Sequence, residues 1–192
     1  MKHLAASGLT LIELMITLFI GSIILSASIS QIGVIASRIQ FDSIQQSLIS
    51  GLLFARAEAI ENGGLVAACA STTITSSSVS CSATSDNWSS GWIIFIDRNN
   101  NGIFDPAFDK SPLAPARAAT DDEMLMMRHL ESNARITWER DNTISFLANG
   151  ATTATNVGAF SLCDANGNAD LARGININLS GRVRPTDTVS CP

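Results

Sequence analysis

Positions 14 to 37 of the chain carry no charged residue. A helical run of roughly 20 apolar residues is enough to cross the hydrocarbon core of a membrane. Such a segment must be hidden in lipid or among other apolar helices, and the rest of the 192 residues has to fold apart from it. Lys2 and His3 precede the run. Positive residues stay on the cytoplasmic side, which places the C-terminal bulk outside. Glu13 stands at the start of the apolar run, where a carboxylate is costly and tends to be kept for a purpose. An ordinary secretory signal would be cut after its apolar core, and LSAS at 25–28 is a weak site for that. It would leave Glu13 inside a disposable segment and an apolar pattern in the released protein.

That pattern continues the helix. Phe41, Ile44, Leu48, Leu52, Ala55 and Ala59 recur at steps of three or four and form one apolar face. Gln45, Gln46, Arg56 and Glu58 are expected largely elsewhere on the helix. The ENGG stretch at 61–64 ends it, and the first proline is Pro106. One helix over about 9–61 is therefore expected, roughly 80 Å long.

Beyond Gly64 the period changes. LVAACAS at 65–71, WIIFI at 92–96, ARITWER, TISFLANG, VGAFSLC and ARGININLS read as strands, with GRVRP at 181–185 ending the last. The Ser/Thr-rich stretch from 72 reads as a hairpin or loop, and MMRHLES as charged and exposed. Five to eight strands after one long helix give an α+β fold with an antiparallel sheet system.

Several function classes are disfavoured. A formal net charge of -5 argues against a generic nucleic-acid coat, though not against a local basic site. Beyond the apolar run only His129 remains, so no multi-histidine metal site is available there. No phosphate-binding P-loop occurs, so no ATPase activity is expected. The chain is expected to be no enzyme and to need no cofactor.

Two polar stretches remain. In DRNNNGIFD at 97–105, Asp97, Asn99, Asn101 and Asp105 alternate as calcium-loop ligands do, with Gly102 at the sharp turn. The position of the bidentate glutamate is Phe108, so a polar turn is preferred to a metal site. In GRVRP, Arg182 and Arg184 are two apart and share a face if extended, with Arg173 a candidate third member. A small cationic face can hold phosphates. The competing role is a set of surface ion pairs, with Asp170 or Asp187 as partner.

GLTLIEL at 8–14 resembles the type IV prepilin cleavage motif. The resemblance implies that a prepilin peptidase cuts after Gly8 and methylates the new N-terminal residue, Leu9, where phenylalanine is commoner. It makes Glu13 the family's characteristic glutamate. In a filament the Glu13 carboxylate of one subunit would meet the Leu9 amine of a neighbour, a strong attraction at low dielectric that sets register. RAEAIENGG, the cysteine-bearing strands, GWIIFIDRNNNG, RGININLS and GRVRP resemble the GspH/FimT family of minor pilins and pseudopilins. That implies a β-sandwich-like head packed on the helix. The implied layout is leader 1–8, transmembrane or filament-core helix 9–37, amphipathic half-helix 38–63 and head 64–192. Implied partners are other pilins, prepilin peptidase and the inner membrane, with the head in the periplasm and the subunit incorporated into a pilus or pseudopilus. Members that act in DNA uptake carry a GRxR motif, matched here by Gly181, Arg182 and Arg184, which adds double-stranded DNA as a candidate partner. The leading expectation is a minor pilin of a type IV pilus. The alternatives are an H-type minor pseudopilin of a type II secretion system, and a secreted enzyme or binding module released after LSAS.

Cys69, Cys81, Cys163 and Cys191 all lie beyond the apolar run and show no C-x-x-C spacing, which suggests an oxidising compartment and two disulfides. Three pairings are possible. Cys69–Cys81, closing a Ser-rich loop, and Cys163–Cys191, tying down the tail, are favoured.

Overall fold

The computed structural model describes residues 8, 10–75, 78–82, 88–106, 121–140, 142–186, 189 and 191, without the side chains of 26–32, 73–75 and 78. Two units are distinguished, residues 1–40 and 41–192. A single helix, α1 (Leu11–Asn62), contributes to both.

In the first unit the described apolar side chains of α1, from Leu11 through Leu25 and again at Val34, Ile35 and Ile39, are exposed. Among the described residues no helix is long and apolar enough to cross a membrane. The expected span 9–37 includes Leu9 and the side chains of 26–32, which lie outside the described residues.

In the second unit the α1 face expected from the spacing is the buried one. Phe41, Ile44, Leu48, Leu52, Ala55 and Ala59 all enter the core. Gln45, expected elsewhere, is also buried, and its Nε2 donates to the Gly174 carbonyl at 2.8 Å. That bond replaces the water a buried amide loses. The helix stops at Gly63, whose φ of 63° reverses the chain as a helix-terminating glycine does.

Ten strands follow among the described residues: β1 (Val66–Ala70), β2 (Thr73–Thr75), β3 (Ser78–Ser80), β4 (Gly91–Ile96), β5 (Glu123–His129), β6 (Ala134–Trp138), β7 (Thr143–Phe146), β8 (Gly158–Asp164), β9 (Arg173–Ile177) and β10 (Val183–Thr186). One sheet has the order β5-β4-β1-β7, a second β10-β9-β8-β6, and β2 and β3 form a hairpin. Every strand pair is antiparallel. The α+β class holds, and the strand count exceeds the expected five to eight. MMRHLES, expected to be charged and exposed, gives its first four residues to β5, which pairs along β4 as an edge strand and keeps much of its surface in solvent. GRVRP does not end β9. The chain turns at Leu179–Gly181 and returns as β10, with Val183 opposite Ile177 and Arg184 opposite Asn176.

β1 and β4 read as unbroken apolar runs because both of their faces are covered. Val66, Ala68, Trp92 and Ile94 face the main core with α1 and the second sheet. Ala67, Cys69, Ile93 and Phe95 face a smaller cluster closed by Phe104, Val79 and Cys81. In the main core Trp88 and Trp138 both pack on Phe160, with ring centroids 4.9 and 4.5 Å apart. Such pairs add to the burial of the rings themselves.

The outer edge of β7 is met by a side chain. Asn156 is buried, and with its amide nitrogen directed at the Thr143 carbonyl (3.1 Å) its oxygen accepts from Ser145 N–H (2.8 Å). A single carboxamide thus bonds the strand as a neighbouring peptide would.

Candidate functional site

The hairpin joining β9 to β10 carries the arginine pair. Asn178 builds its turn: the Asn178 carbonyl accepts from Gly181 N–H at 2.9 Å, and its side-chain oxygen accepts from Arg182 N–H at 2.9 Å and from the Ser180 hydroxyl at 2.8 Å. Gly181 has φ 71°, and a Cβ there would collide with the Gly150 carbonyl oxygen. Only glycine satisfies both conditions. The G of GRxR is therefore set by backbone packing.

Past Gly181 the chain alternates. Arg182 and Arg184 are exposed and Val183 between them is buried, so the two guanidinium groups leave by the same face. Among the described residues neither forms an ion pair. Arg173 does not join them. Its Nε donates to Asp42 Oδ1 at 2.6 Å, and its Nη1 donates to the Asp170 and Ala172 carbonyls at 3.2 and 2.9 Å. It is a pin between β9 and α1. Asp170 engages it through its carbonyl and not its carboxylate, and Asp187 lies outside the described residues.

Arg56 enters this neighbourhood instead. From α1 its Nε donates to the Gly150 carbonyl at 2.8 Å and its Nη2 to the Ser180 carbonyl at 3.2 Å. Nothing in its sequence surroundings signals this, since both acceptors are backbone atoms far along the chain.

The 97–105 loop closes on itself. Asp97 is buried, and its two oxygens accept from Asn101 and Gly102 N–H at 3.2 and 2.8 Å. Asn99 and Asn101 donate to Asp105 Oδ2 at 3.2 and 2.7 Å. Asp122, also buried, clamps both ends by accepting from Arg98 and Asp105 N–H, each at 2.9 Å. Burial raises the Asp122 pKa above the ordinary carboxylate value; its two backbone donors oppose that, and the Asp97 and Asp105 charges reinforce it. Among the described residues no group of three or more His, Cys, Asp or Glu is placed to hold a metal ion. Phe108 lies outside the described residues.

At the N-terminal end Gly8 is exposed, and Leu9 lies outside the described residues. Glu13 is exposed in the first turn of α1, where its N–H donates to Thr10 Oγ1 at 3.4 Å. That is half of a capping box, and the carboxylate sits where the helix dipole favours it. Disulfides join Cys69 to Cys81 and Cys163 to Cys191. His129 is half exposed, 3.8 Å from Glu131.

A methylation-motif helix followed by an antiparallel head defines a pilin or pseudopilin subunit. The family model described as type II transport protein GspH matches residues 45–181, and that of the prokaryotic N-terminal methylation motif matches residues 4–29. The chain belongs to the GspH family of pilin-like subunits. The family match stops at Gly181, so Arg182 and Arg184 lie just beyond it. Among curated proteins no sequence matches. Among solved structures, a crystal form of the Pseudomonas aeruginosa (strain PAO1) type IV minor pilin FimU is similar at TM-score 0.46 and 20% identity, covering 77% of this chain and 88% of that one. A second crystal form gives TM-score 0.43 at 20% identity, covering 76% and 91%. Pilins and pseudopilins are structural, membrane-anchored subunits that assemble with one another after processing by prepilin peptidase; they are not enzymes.

Proposed function

We propose that this protein is a minor pilin of a type IV pilus, taking part in pilus assembly and contacting double-stranded DNA through Arg182 and Arg184. The observation that carries the DNA contact is the pair of exposed arginines on one face of a turn held by bonds on several sides, with no carboxylate paired to them among the described residues. On this reading the leader ends at Gly8, Leu9 is methylated, and Glu13 meets the Leu9 amine of a neighbouring subunit. Residues 9–37 anchor the chain as a single pass of the inner membrane or in the filament core, residues 38–63 pack on the head, and residues 64–192 form the head in the periplasm. The two disulfides support an oxidising compartment.

Two phosphate contacts give weak, sequence-independent binding, with a log–log salt slope of about -2 at roughly -0.9 per neutralised phosphate. The test uses the full chain in uncharged detergent micelles. The Arg182→Gln/Arg184→Gln variant should lose DNA binding with its melting temperature nearly unchanged, since exposed charges contribute little to stability. Binding equal to the parent's overturns the DNA reading.

The description of the matched family favours a second reading, an H-type minor pseudopilin of a type II secretion system. It gains if the parent binds no DNA even at low salt. Release as a secreted enzyme or binding module after LSAS is set aside, because the family is one of structural subunits.

A further inference from the structure

We infer that Arg56 is a positioning residue for the arginine pair: it locks the turn from which Arg182 and Arg184 project, and it does so from the helix. The inference rests on the DNA reading above and adds to it a residue that the GRxR pattern does not contain.

Two elements besides the turn itself hold Asn178–Gly181. Thr152 takes one side, its N–H donating to the Leu179 carbonyl at 3.1 Å and its hydroxyl to the Asn178 carbonyl at 3.0 Å. Arg56 takes the other through the Ser180 carbonyl. One peptide, Gly181–Arg182, separates the Ser180 carbonyl from Arg182, and its N–H is held by the Asn178 side chain; with Arg56 on the Ser180 carbonyl, both peptides that lead into Arg182 are fixed. The second Arg56 bond, to the Gly150 carbonyl, holds the atom against which Gly181 is pressed. Gly150 is itself in a tight turn, φ 75°, closed by its N–H bond to the Leu147 carbonyl at 2.7 Å. One planar guanidinium therefore joins two turns to α1.

The chemistry selects arginine. Its donors are fixed in a plane and can reach two separate carbonyls at once, whereas a lysine ammonium is a compact point charge without that fork. Both Arg56 acceptors are neutral carbonyls. Arg56 acts here through Arg182 and Arg184 and is not assigned a phosphate of its own.

The test compares Arg56→Met, which keeps the apolar stem and removes the donors, with Arg56→Lys, which keeps the charge. Both are measured beside Arg182→Gln/Arg184→Gln in the full chain in uncharged detergent, with a labelled DNA duplex as probe. Arg56→Met should weaken binding about tenfold, the scale of one lost hydrogen bond near its upper range. Arg56→Lys should fall nearly as far. Hydrogen exchange at the Gly181 and Arg182 amides should quicken about tenfold in both variants while the β8 amides stay protected, which separates loss of the lock from loss of the fold. Full binding by Arg56→Met, when the double arginine variant has lost it, overturns this inference and leaves the DNA reading standing. Full rescue by lysine, or unchanged exchange at Gly181 and Arg182, also overturns it. If the double variant binds like the parent, the DNA reading falls and takes the positioning role with it.

Discussion

The 97–105 loop and the 178–184 turn are built from similar residues and end differently. Each has asparagine, a glycine and charged groups, and each turns through left-handed backbone: Asn100 and Gly102 in one, Gly181 in the other. In the loop the carboxylates of Asp97, Asp105 and Asp122 are occupied by N–H groups of the loop itself. In the turn one neutral side chain, Asn178, does the internal bonding. That leaves the charges of Arg182 and Arg184 outside. A loop whose charges close its own backbone leaves none to solvent; a turn that satisfies its backbone with amides and helix donors leaves its charges facing outward. Composition alone does not separate them. On a molecule of net charge -5, the outward arginines are also a local reversal of sign.

The disulfides offer the largest test of that contrast. Cys69–Cys81 spans 12 residues and belongs to the sheet that carries the loop, whereas Cys163–Cys191 spans 28 and ties the tail beyond the turn. On loop-closure entropy, replacing the pair by serines should cost about 3 kcal/mol for the first and about 3.5 for the second. Denaturant unfolding of the two double-serine variants checks the order. Only loss of Cys163–Cys191 should also weaken DNA binding, and equal effects on binding would dissolve the distinction between the two regions.

Next in size is a pair of glycines with the same backbone and different surroundings. Gly102 has φ 73°, and a Cβ there would meet only Thr143, at 3.8 Å. Gly102→Ala should cost about 1 kcal/mol, the strain of the left-handed conformation alone. Gly181→Ala adds the collision with the Gly150 carbonyl and should cost on the order of 3 kcal/mol. Thermal unfolding of both variants decides; a matched loss would mean that the turn gives way easily.

The smallest effect is a pH dependence that belongs to the loop. Burial raises the Asp122 pKa, so the folded state binds its proton more readily than the unfolded chain. The stabilisation from that proton is complete below the unfolded carboxylate range, near pH 4, and is lost as pH rises through the folded value. On acidification from pH 7 towards 4 the parent should therefore gain stability relative to Asp122→Asn. A gain by the variant would show that the two N–H donors outweigh burial.

What was legible in the sequence had local or periodic signals. The α1 face from Phe41 to Ala59 follows helical spacing, and the unbroken runs of β1 and β4 follow from cover on both faces. β5 escaped because EMLMMRH is a half-exposed edge strand without clean alternation. β10 escaped because the tight turn at Asn178–Gly181 leaves no spacer between it and β9. At the candidate site the motif marks Gly181, Arg182 and Arg184, whereas Arg173 is drawn away by Asp42, a partner 131 residues off that no local pattern reveals. Arg56 carries no sequence signal for a like reason, its acceptors being backbone carbonyls 94 and 124 residues off. Long-range bonds to main-chain oxygen leave no compositional trace.

The carboxamide of Asn156 has a consequence for crowding. Pilin-like subunits assemble with one another, and an open strand border is a template on which a further strand can pair. With Asn156 holding Thr143 and Ser145, that border of β7 is already occupied, at no cost in chain length and without a charged side chain. Of the two borders of that sheet, β7 is thus closed to a further strand by a side chain, and β5 is left as the border that a neighbouring strand could meet.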